Sequence, residues 1–309
     1  MNKAMGNDAN MAEKSVWAIS SYQADTGKVR QIQMLLLQEM LRVCKENGLA
    51  IWVCGGTLLG TVREHGYIPW DDDIDLFMLR MDYDKLVRIG AEVFKTPFFF
   101  QNSYSDNYYH RGHAQLRYQG TTAILPLEIN CKFDQSIFID VFVFDKLPAD
   151  ERILQRRSRK IKCYHNLLRI RATLNFEPRK VLRSTAYLFA RSFFFFVSFR
   201  WFFSKFENLC RSMSANPSTI YSCPAFSVNL VERNKIEEEW LKKTVYMPFE
   251  DIIVPVPVGY DMILQNAYGK DYMTPRKEPN MHGEVIFDTE RSYVEVLKDI
   301  KSGKIRTKL

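Results

Sequence analysis

One eight-residue run constrains the fold of this chain more than any other segment. It consists of Ile137-Phe138-Ile139-Asp140-Val141-Phe142-Val143-Phe144, and every residue except Asp140 is β-branched or aromatic. The run predicts a strand that is apolar on both faces and is terminated by Lys146-Leu147-Pro148. A buried carboxylate is costly unless it is paired, hydrogen-bonded or bound to a metal, which makes Asp140 a candidate functional residue. A capping or salt-bridging Asp140 is the alternative.

Helix and strand patterns alternate upstream of this run. Apolar residues recur every three or four positions from Val29 to Asn47, which predicts an amphipathic helix closed by Gly48. The next predicted elements are a strand at 49–54, a helix up to residue 63, a strand at 73–79, a helix at 82–94 and strands at 98–101 and 115–118. This order favours an α/β or α+β core.

The composition changes after residue 149 and divides the chain into predicted parts. These are a flexible tail (1–25), a core (26–149), a basic and aromatic helical region (150–245) and a C-terminal segment that packs back on the core (246–309). The last part contains Pro-Val-Pro turns and a short helix near residues 260–268.

Composition also narrows the class of protein. With 309 residues, 46% of them hydrophobic, the chain can bury a large core, which excludes disordered and collagen-like proteins. A formal net charge of +7 is compatible with nucleic acid, anionic lipid or a phosphorylated substrate as partner. Six scattered cysteines and a polar N-terminus without an apolar stretch predict a cytoplasmic protein without disulfides.

The most informative motif is acidic. It consists of Trp70-Asp71-Asp72-Asp73-Ile74-Asp75-Leu76. In a strand, Asp73 and Asp75 project from one face, and the apolar residues beside them face the core. Two carboxylates within ~7 Å repel each other unless a cation lies between them, and oxygen ligands suit Mg²⁺ or Mn²⁺. The alternative is a solvated acidic turn or a helix N-terminus.

Asp73, Asp75 and Asp140 together form a candidate three-carboxylate metal site. Such a site can hold two metal ions ~3.5–4 Å apart, which stabilise charge on the attacking and leaving oxygens of a phosphoryl transfer. Asp140 is in addition the candidate base for the acceptor hydroxyl.

A glycine-rich motif, Gly55-Gly56-Thr57, lies between a predicted strand and a predicted helix. Its threonine precedes Asp73 by 16 residues. Glycines at such a place let the backbone approach a phosphate, and the helix N-terminus supplies free N–H groups. Thr57 either caps the helix or hydrogen-bonds a phosphate oxygen.

These motifs closely resemble the signature of the LicD family. The first matching stretch runs from Gly56 to Gly60, continues with Arg63 and ends with Ile68 to Asp75. The later matches are Phe138-Ile139-Asp140-Val141-Phe142, Asp145, Pro148, Val256-Pro257, Tyr260-Asp261, Leu264, residues 268–273 and Pro275. The resemblance covers about residues 30–148 and 245–285, and His282 lies where the family often carries a histidine.

The resemblance implies a nucleotidyltransferase-like α+β fold, with a mixed sheet flanked by helices and a helical aromatic and basic insertion. It implies that Asp73, Asp75 and Asp140 bind Mg²⁺ or Mn²⁺, with Asp71 as a possible additional ligand. The substrate contacts that it implies are Gly55, Gly56, Thr57, Arg63 and His282.

The LicD family includes bacterial phosphocholine transferases and the fukutin-related proteins. The expected substrates follow from the resemblance to these proteins. The resemblance implies a CDP-linked alcohol as donor, CDP-choline first, and a sugar on a lipid-linked or protein-linked glycan as acceptor. CMP would be released, and no nucleic-acid partner is expected.

A membrane-binding surface is predicted in the basic region. Residues 183–205 contain no acidic side chain, and nine aromatic residues lie between Phe189 and Phe203. The longest uncharged run is too short to span a bilayer, so this segment is predicted to lie on the inner face of the cytoplasmic membrane. The alternative is a buried aromatic helix pair.

Three further patterns involve histidine, basic and aromatic residues. His110-Arg111-Gly112-His113 is predicted to be a loop rather than a metal site, and residues 156–160 a solvated basic helix face. A choline-bearing donor would favour an aromatic cage for its quaternary ammonium. The candidates for that cage are Tyr104, Tyr108, Tyr109 and Trp240.

Three functions are open on the sequence. The first is metal-dependent transfer of phosphocholine, or a similar phospho-alcohol, to a hydroxyl of a cell-surface glycan (lipopolysaccharide, capsule or teichoic acid) or its lipid-linked precursor. The second is attachment of a nucleoside monophosphate from a nucleoside triphosphate to a small molecule or protein. The third is a non-catalytic membrane-associated scaffold, against which the complete acidic set argues.

Overall fold

The computed structural model describes residues 25–172, 185, 189, 192, 198–215, 217–226, 228–277 and 285–305. The helices are α1 (Thr26–Glu46), α2 (Gly55–Arg63), α3 (Arg80–Val93), α4 (Glu151–Ala172), α5 (Phe199–Arg211), α6 (Val228–Arg233), α7 (Tyr260–Tyr268) and α8 (Tyr293–Lys301). The strands are β1 (Trp52–Val53), β2 (Asp75–Leu79), β3 (Phe98–Gln101), β4 (Ala114–Tyr118), β5 (Thr122–Ile124), β6 (Ile137–Pro148), β7 (Pro217–Ser222), β8 (Ile236–Glu237), β9 (Thr244–Phe249), β10 (Ile252–Pro257) and β11 (Ile286–Asp288).

Helix α1 begins and ends close to where its sequence pattern predicts. The Asp25 carboxylate accepts a hydrogen bond from the Gly27 N–H at 2.9 Å, which caps the N-terminus. Beyond the C-terminus, Gly48 adopts φ +61°, a left-handed conformation that costs glycine little. The apolar face, which includes Leu36 and Met40, is fully buried where α1 packs on β4 and β6.

A mixed sheet forms the centre of the molecule, and it confirms the predicted α+β class. Its main strands follow the order β1-β2-β6-β4-β3. Strands β2 and β6 are parallel, whereas the other neighbours on this path are antiparallel. The parallel register places Asp75 directly beside Asp140.

Strand β6 is longer than predicted. The Lys146-Leu147-Pro148 stretch does not terminate it, because its last residues pair with β7. Asp145 lies opposite Ser222 in that pairing. The prediction that residues 150–245 are helical is therefore wrong for β7 and β8, which extend the sheet through a partner remote in sequence.

Helices α4 and α5 pack against each other and bury a second apolar cluster. It includes Leu154, Ile161 and Leu168 from α4, and Phe202 and Phe206 from α5. The segment that was predicted to bind membrane is residues 183–205, and between 183 and 197 only residues 185, 189 and 192 are described. In the part of the chain that the structure describes, no helix is both long and apolar enough to cross a membrane.

A network of ion pairs connects α5 to the sheet. Arg80, the first residue of α3, contacts Asp145 of β6 at 2.6 Å and Glu207 of α5 at 3.2 Å. Arg211 of α5 contacts Asp84 of α3 and lies 3.3 Å from Glu207. Because Asp145 is only 1% exposed, its single negative charge depends on this network for compensation.

The C-terminal segment contacts the core at two places. The hairpin of β9 and β10 contributes Val254 and Val256 to the main buried cluster, and α7, found at its predicted position, adds Leu264. Strand β11 pairs with β5, and Val296 of α8 packs in one cluster with Ile124.

Candidate active site

The acidic motif forms a loop that leads into strand β2. The strand begins at Asp75, so the strand prediction is wrong for its first two residues. Ile74 and Leu76 are fully buried, as predicted, and they anchor the end of the loop in the core. Asp71, Asp73 and Asp75 line one cavity, so the loop conformation still brings the predicted carboxylates together.

An arginine of α1 holds the backbone of this loop. Arg30 Nη2 donates to the carbonyl oxygens of Ile68, Pro69 and Asp71, at distances of 3.1, 3.2 and 2.7 Å. The Arg30 guanidinium also lies over the Tyr67 ring, 4.6 Å from its centroid. These contacts fix the path of the chain immediately before the carboxylates.

Gln33, one turn further along α1, supports the same loop. It is 2% exposed, its Nε2 donates to the Asp72 carbonyl at 2.7 Å, and its Oε1 accepts from the Tyr67 hydroxyl at 3.2 Å. Neither Arg30 nor Gln33 was identified from the sequence. The available signal was a polar residue at position 33, on the apolar face of an otherwise regular amphipathic helix.

The carboxylates of the motif lie close enough to share a cation. Oxygens of Asp71, Asp72 and Asp73 lie within 4.8 Å of one another. Burial, together with the charge of Asp73 and a hydrogen bond to it, raises the pKa of Asp71 to about 7. Burial and the charges on Asp73 and Asp140 raise the pKa of Asp75 well above its ordinary value. The carboxylates therefore oppose each other's ionisation.

This donor set fits Mg²⁺ or Mn²⁺. Both ions prefer oxygen ligands, and carboxylates that repel one another lose that repulsion when a divalent cation lies between them. The sequence-predicted ligands Asp71, Asp73 and Asp75 belong to the cavity wall, and Asp72 is added to the set by its proximity.

Asp140 lies on the neighbouring strand, in register with Asp75, and is 9% exposed. Its Oδ1 accepts a hydrogen bond from Gln115 Nε2 at 2.7 Å and lies 3.1 Å from His113 Nε2. Burial opposes ionisation of Asp140, but His113, Arg111 and Gln115 outweigh it and lower the pKa of Asp140. Asp140 does not line the cavity, although it lies beside Asp75 on the neighbouring strand.

The loop that carries His113 is confirmed as a loop, immediately before β4. Its His113 contacts Asp140, with 3.1 Å between Nε2 and Oδ1. This contact was not foreseen, and it arises because β4 and β6 are antiparallel neighbours.

The two glycines of the Gly55-Gly56-Thr57 motif lie against carboxylates. Gly55 adopts φ +54°, and a Cβ there would lie 2.8 Å from Asp75 Oδ2. A Cβ on Gly56 would overlap Asp71 Oδ2. Glycine is therefore required at both positions to admit the acidic side chains, a role that is additional to the predicted approach of a phosphate.

Thr57 supports strand β2 from inside helix α2. Its hydroxyl oxygen accepts a hydrogen bond from the Asp75 N–H at 2.8 Å, and the residue is 4% exposed. The predicted capping role is wrong, because Cys54 occupies the N-cap position and no side chain caps the helix. Thr57 thus fixes the backbone of a candidate metal ligand.

The cavity has a volume of about 330 Å³ and three kinds of wall. One is acidic, as described above. A second is basic and consists of Arg63, Arg233 and Arg276. The third is aromatic and consists of Trp70, Phe142, Phe144, Phe226, Tyr268 and Tyr272.

The aromatic residues proposed from the sequence for a choline cage do not line this cavity. Tyr109 is fully buried beside Phe133, and the Tyr104 hydroxyl donates to Glu207. The aromatic wall instead draws on residues from distant segments, which no local pattern could bring together. His282 lies outside the described residues.

Residues 48–150 match the family model described as "LicD/FKTN/FKRP, nucleotidyltransferase domain". This confirms the resemblance to the LicD family, and the matched range contains the glycine motif, the acidic motif and Asp140.

Similar proteins point the same way. The lipopolysaccharide cholinephosphotransferase LicD of Haemophilus influenzae is 25% identical over 255 residues, which cover 78% of this chain and 89% of that protein. An uncharacterised protein of Rickettsia prowazekii is 34% identical over 73 residues, 24% of this chain and 25% of its own. One of Rickettsia typhi is 38% identical over 47 residues, 15% of each chain.

Proposed function

We propose that this chain, with its LicD-family nucleotidyltransferase domain, transfers phosphocholine or a similar phospho-alcohol from a CDP-linked donor to a glycan hydroxyl. One observation carries the proposal. Within the matched domain, three aspartates from one short motif converge on a cavity that also has a basic and an aromatic wall. The similarity to a cholinephosphotransferase supports phosphocholine as the transferred group.

The proposed reaction is a displacement at phosphorus. The acceptor hydroxyl oxygen bonds to the phosphorus that carries choline, and the bond from that phosphorus to the CMP oxygen breaks. The electron pair of the broken bond leaves with CMP, and the hydroxyl proton passes to a carboxylate. Such a reaction requires chiefly positioning and neutralisation of negative charge.

Asp71, Asp73 and Asp75 are the residues proposed to hold Mg²⁺ or Mn²⁺, with Asp140 beside Asp75 on the neighbouring strand. A bound divalent ion would neutralise charge on the donor phosphates. Asp140 remains the proposed base, since the lowered pKa keeps it ionised and His113 lies 3.1 Å away, where it can stabilise the carboxylate.

The aromatic wall suits the head group. A quaternary ammonium is attracted to aromatic faces, most strongly when it is desolvated, and it gains further from nearby carboxylates. Trp70, Tyr268 and Tyr272 line the cavity beside the acidic wall and are proposed to contact choline. They replace the cage candidates that the sequence suggested.

The acceptor is proposed to be a lipid-linked glycan, reached at the cytoplasmic face of the membrane. Helix α5 supports this with Trp201, which is 47% exposed and has the Lys205 ammonium 5.4 Å from its ring centroid. Phe189, in the preceding segment, is 82% exposed. Co-sedimentation with anionic vesicles should fall for Trp201→Ala, and equal binding by the wild type and the variant would contradict this part of the proposal.

Isothermal titration with CDP-choline, with and without Mg²⁺, tests the donor. We expect metal-dependent heat that is lost in Asp75→Asn and kept in Asp251→Asn, a matched change at an exposed position of the hairpin. A coupled assay should then detect CMP. Heat and CMP release that are absent with CDP-choline, CDP-ribitol and CDP-ethanolamine alike would refute the proposal.

A second function, transfer of a nucleoside monophosphate from a nucleoside triphosphate, has the description of the matched domain as its support. The same carboxylates would serve it. Release of pyrophosphate from a nucleoside triphosphate, in place of CMP from a CDP-alcohol, would favour this second function.

A further inference from the structure

The role proposed above for the carboxylates does not involve the basic wall of the cavity. Arg63, Arg233 and Arg276 line the same cavity as Asp71 and its neighbours. Arg233 and Arg276 lie outside residues 48–150, the range that matches the family domain. They are therefore a feature of this chain that the domain match does not assign.

Arg63 carries a donor that lacks a partner. It is the last residue of α2, its side chain is 7% exposed, its Nε donates to Glu64, and its Nη1 donates to the Tyr272 carbonyl at 3.2 Å. Its Nη2 is buried and has no hydrogen-bond partner among the described residues. Buried polar groups are normally paired, so an unpaired guanidinium nitrogen at a cavity wall indicates a missing acceptor.

Arg233 is held in place by a neutral group. Both its Nε and its Nη2 donate to the carbonyl oxygen of Ala267, at 3.1 and 2.7 Å. Within the described part of the chain, no carboxylate forms an ion pair with Arg233. The backbone contact orients the guanidinium, and its positive charge stays available to an anion.

Arg276 completes the wall from the segment after α7. It forms an ion pair with Asp271, and its side chain is 64% exposed. Its position at the solvent side of the wall contrasts with that of Arg63, which lies at the buried side.

We propose that Arg63, Arg233 and Arg276 bind phosphate oxygens of a nucleoside diphosphate donor, independently of the metal. The proposal rests on the proposed function and extends it to Arg233 and Arg276, which lie outside the range that matches the family domain. Guanidinium groups match phosphate oxygens in planar, forked contacts, and the acceptor that Arg63 Nη2 lacks is of this kind. When the bond to CMP breaks, the electron pair moves onto a CMP phosphate oxygen, and the same arginines stabilise it there.

Metal-free binding of inorganic pyrophosphate tests the wall directly. The full chain in EDTA is titrated with pyrophosphate, in parallel with Arg233→Gln, Arg63→Gln and a control, Arg42→Gln. Arg42 makes the same kind of charge change on the exposed side of α1, where it pairs with Glu39 and Glu46. We expect the dissociation constant to rise roughly tenfold or more in the two wall variants and to stay unchanged in the control.

Arg233→Gln decides the test if Arg63→Gln fails to fold, because the hydrogen bonds that Arg233 donates within the described part of the chain go to one backbone carbonyl. Asp75→Asn separates the two proposals. Pyrophosphate should bind this variant at least as tightly as the wild type in EDTA, since Asp75 belongs to the acidic wall and not to the three arginines that are proposed to bind phosphate.

Each proposal can fail without the other. Arginine-dependent pyrophosphate binding without turnover of any CDP-alcohol would support phosphate binding by the basic wall and refute the CDP-alcohol as donor. CDP-choline turnover with an unchanged KM and unchanged pyrophosphate affinity in Arg233→Gln would support the donor and overturn the wall.

Discussion

The ion pair between Arg80 and Asp145 gives the largest stability effect that we expect from one substitution. Arg80 Nε and Nη2 donate to the two oxygens of Asp145, at 2.8 and 2.6 Å. The side chain of Asp145 is 0% exposed and that of Arg80 17%. Burial opposes the charge on Arg80, but the hydrogen bonds and charge of Asp145 outweigh it and raise the pKa of Arg80.

Replacing Arg80 with methionine would remove the arginine partner of the buried Asp145 carboxyl group inside the sheet. Removing one partner of a buried pair costs about 3–5 kcal/mol, whereas a whole domain is stable by only ~5–15 kcal/mol. Asp145→Asn should cost less, because Arg80 keeps Glu207 at 3.2 Å. The double substitution Arg80→Met/Asp145→Leu should recover part of the loss, because neither charge is then buried.

Urea unfolding at neutral pH, followed by circular dichroism, measures these differences. Lys28→Met is the control, since it removes an ion pair whose side chains are 54% and 75% exposed, and it should change nothing measurable. An Arg80→Met protein that unfolds within about 1 kcal/mol of the wild type would refute the reasoning. So would a double variant that is less stable than Arg80→Met alone.

Three further predictions concern the candidate active site. Gly55→Ala places a Cβ 2.8 Å from Asp75 Oδ2, so CMP release should fall roughly tenfold or more. Gly48→Ala is the control, because Gly48 also has a positive φ but a Cβ there has nothing within 4 Å, so this change should affect stability only. Equal activities of the two variants would contradict the prediction. With a pKa of about 7 against an ordinary value of 3.8, Asp71 binds a proton in the folded state that the unfolded chain does not bind. The stability of the metal-free protein, measured by thermal unfolding, should therefore fall as pH rises from 3.8 to about 7. Asp71→Asn should flatten this pH dependence. A wild-type stability that increases over the same pH range would contradict the prediction. Arg30→Lys keeps the charge but loses the planar guanidinium that holds the backbone of the acidic loop. The Mg²⁺ concentration needed for half-maximal CMP release should therefore rise, while the circular dichroism spectrum stays unchanged. An unaltered Mg²⁺ requirement would show that Arg30 does not position the carboxylates.

Elements with a strong local pattern were predictable from the sequence. The strand at 98–101 and the helix at 260–268 have the predicted bounds, and α1 ends at Glu46, two residues before the predicted glycine. The proximity of Asp73 and Asp75 was predictable as well, because the apolar residues beside them must face the core, and both line the cavity. Asp71 was expected only from the resemblance, and Asp140, the third carboxylate of the predicted site, does not line the cavity. In each of these cases the determining interactions are local.

The remaining features depend on contacts between remote segments. Strand β7 forms because β6 offers a free continuation beyond Asp145, and a sequence pattern of 217–222 alone does not identify its partner. The contact of His113 with Asp140 follows from the β4–β6 register. The aromatic wall was not predictable for the same reason, since its members come from four separate segments of the chain.

The acidic site is assembled against the electrostatic repulsion of its own carboxylates, and residues of two helices hold its backbone in place. Asp71 and Asp75 have raised pKa values because burial and neighbouring charges disfavour their ionised forms. A loop with these charges would move apart in water unless its backbone were fixed. Arg30 and Gln33 fix the loop from α1, and Thr57 fixes the first residue of β2 from α2. These three supports hydrogen-bond to backbone atoms of the loop and of β2, and they thereby fix the positions from which the carboxylates project.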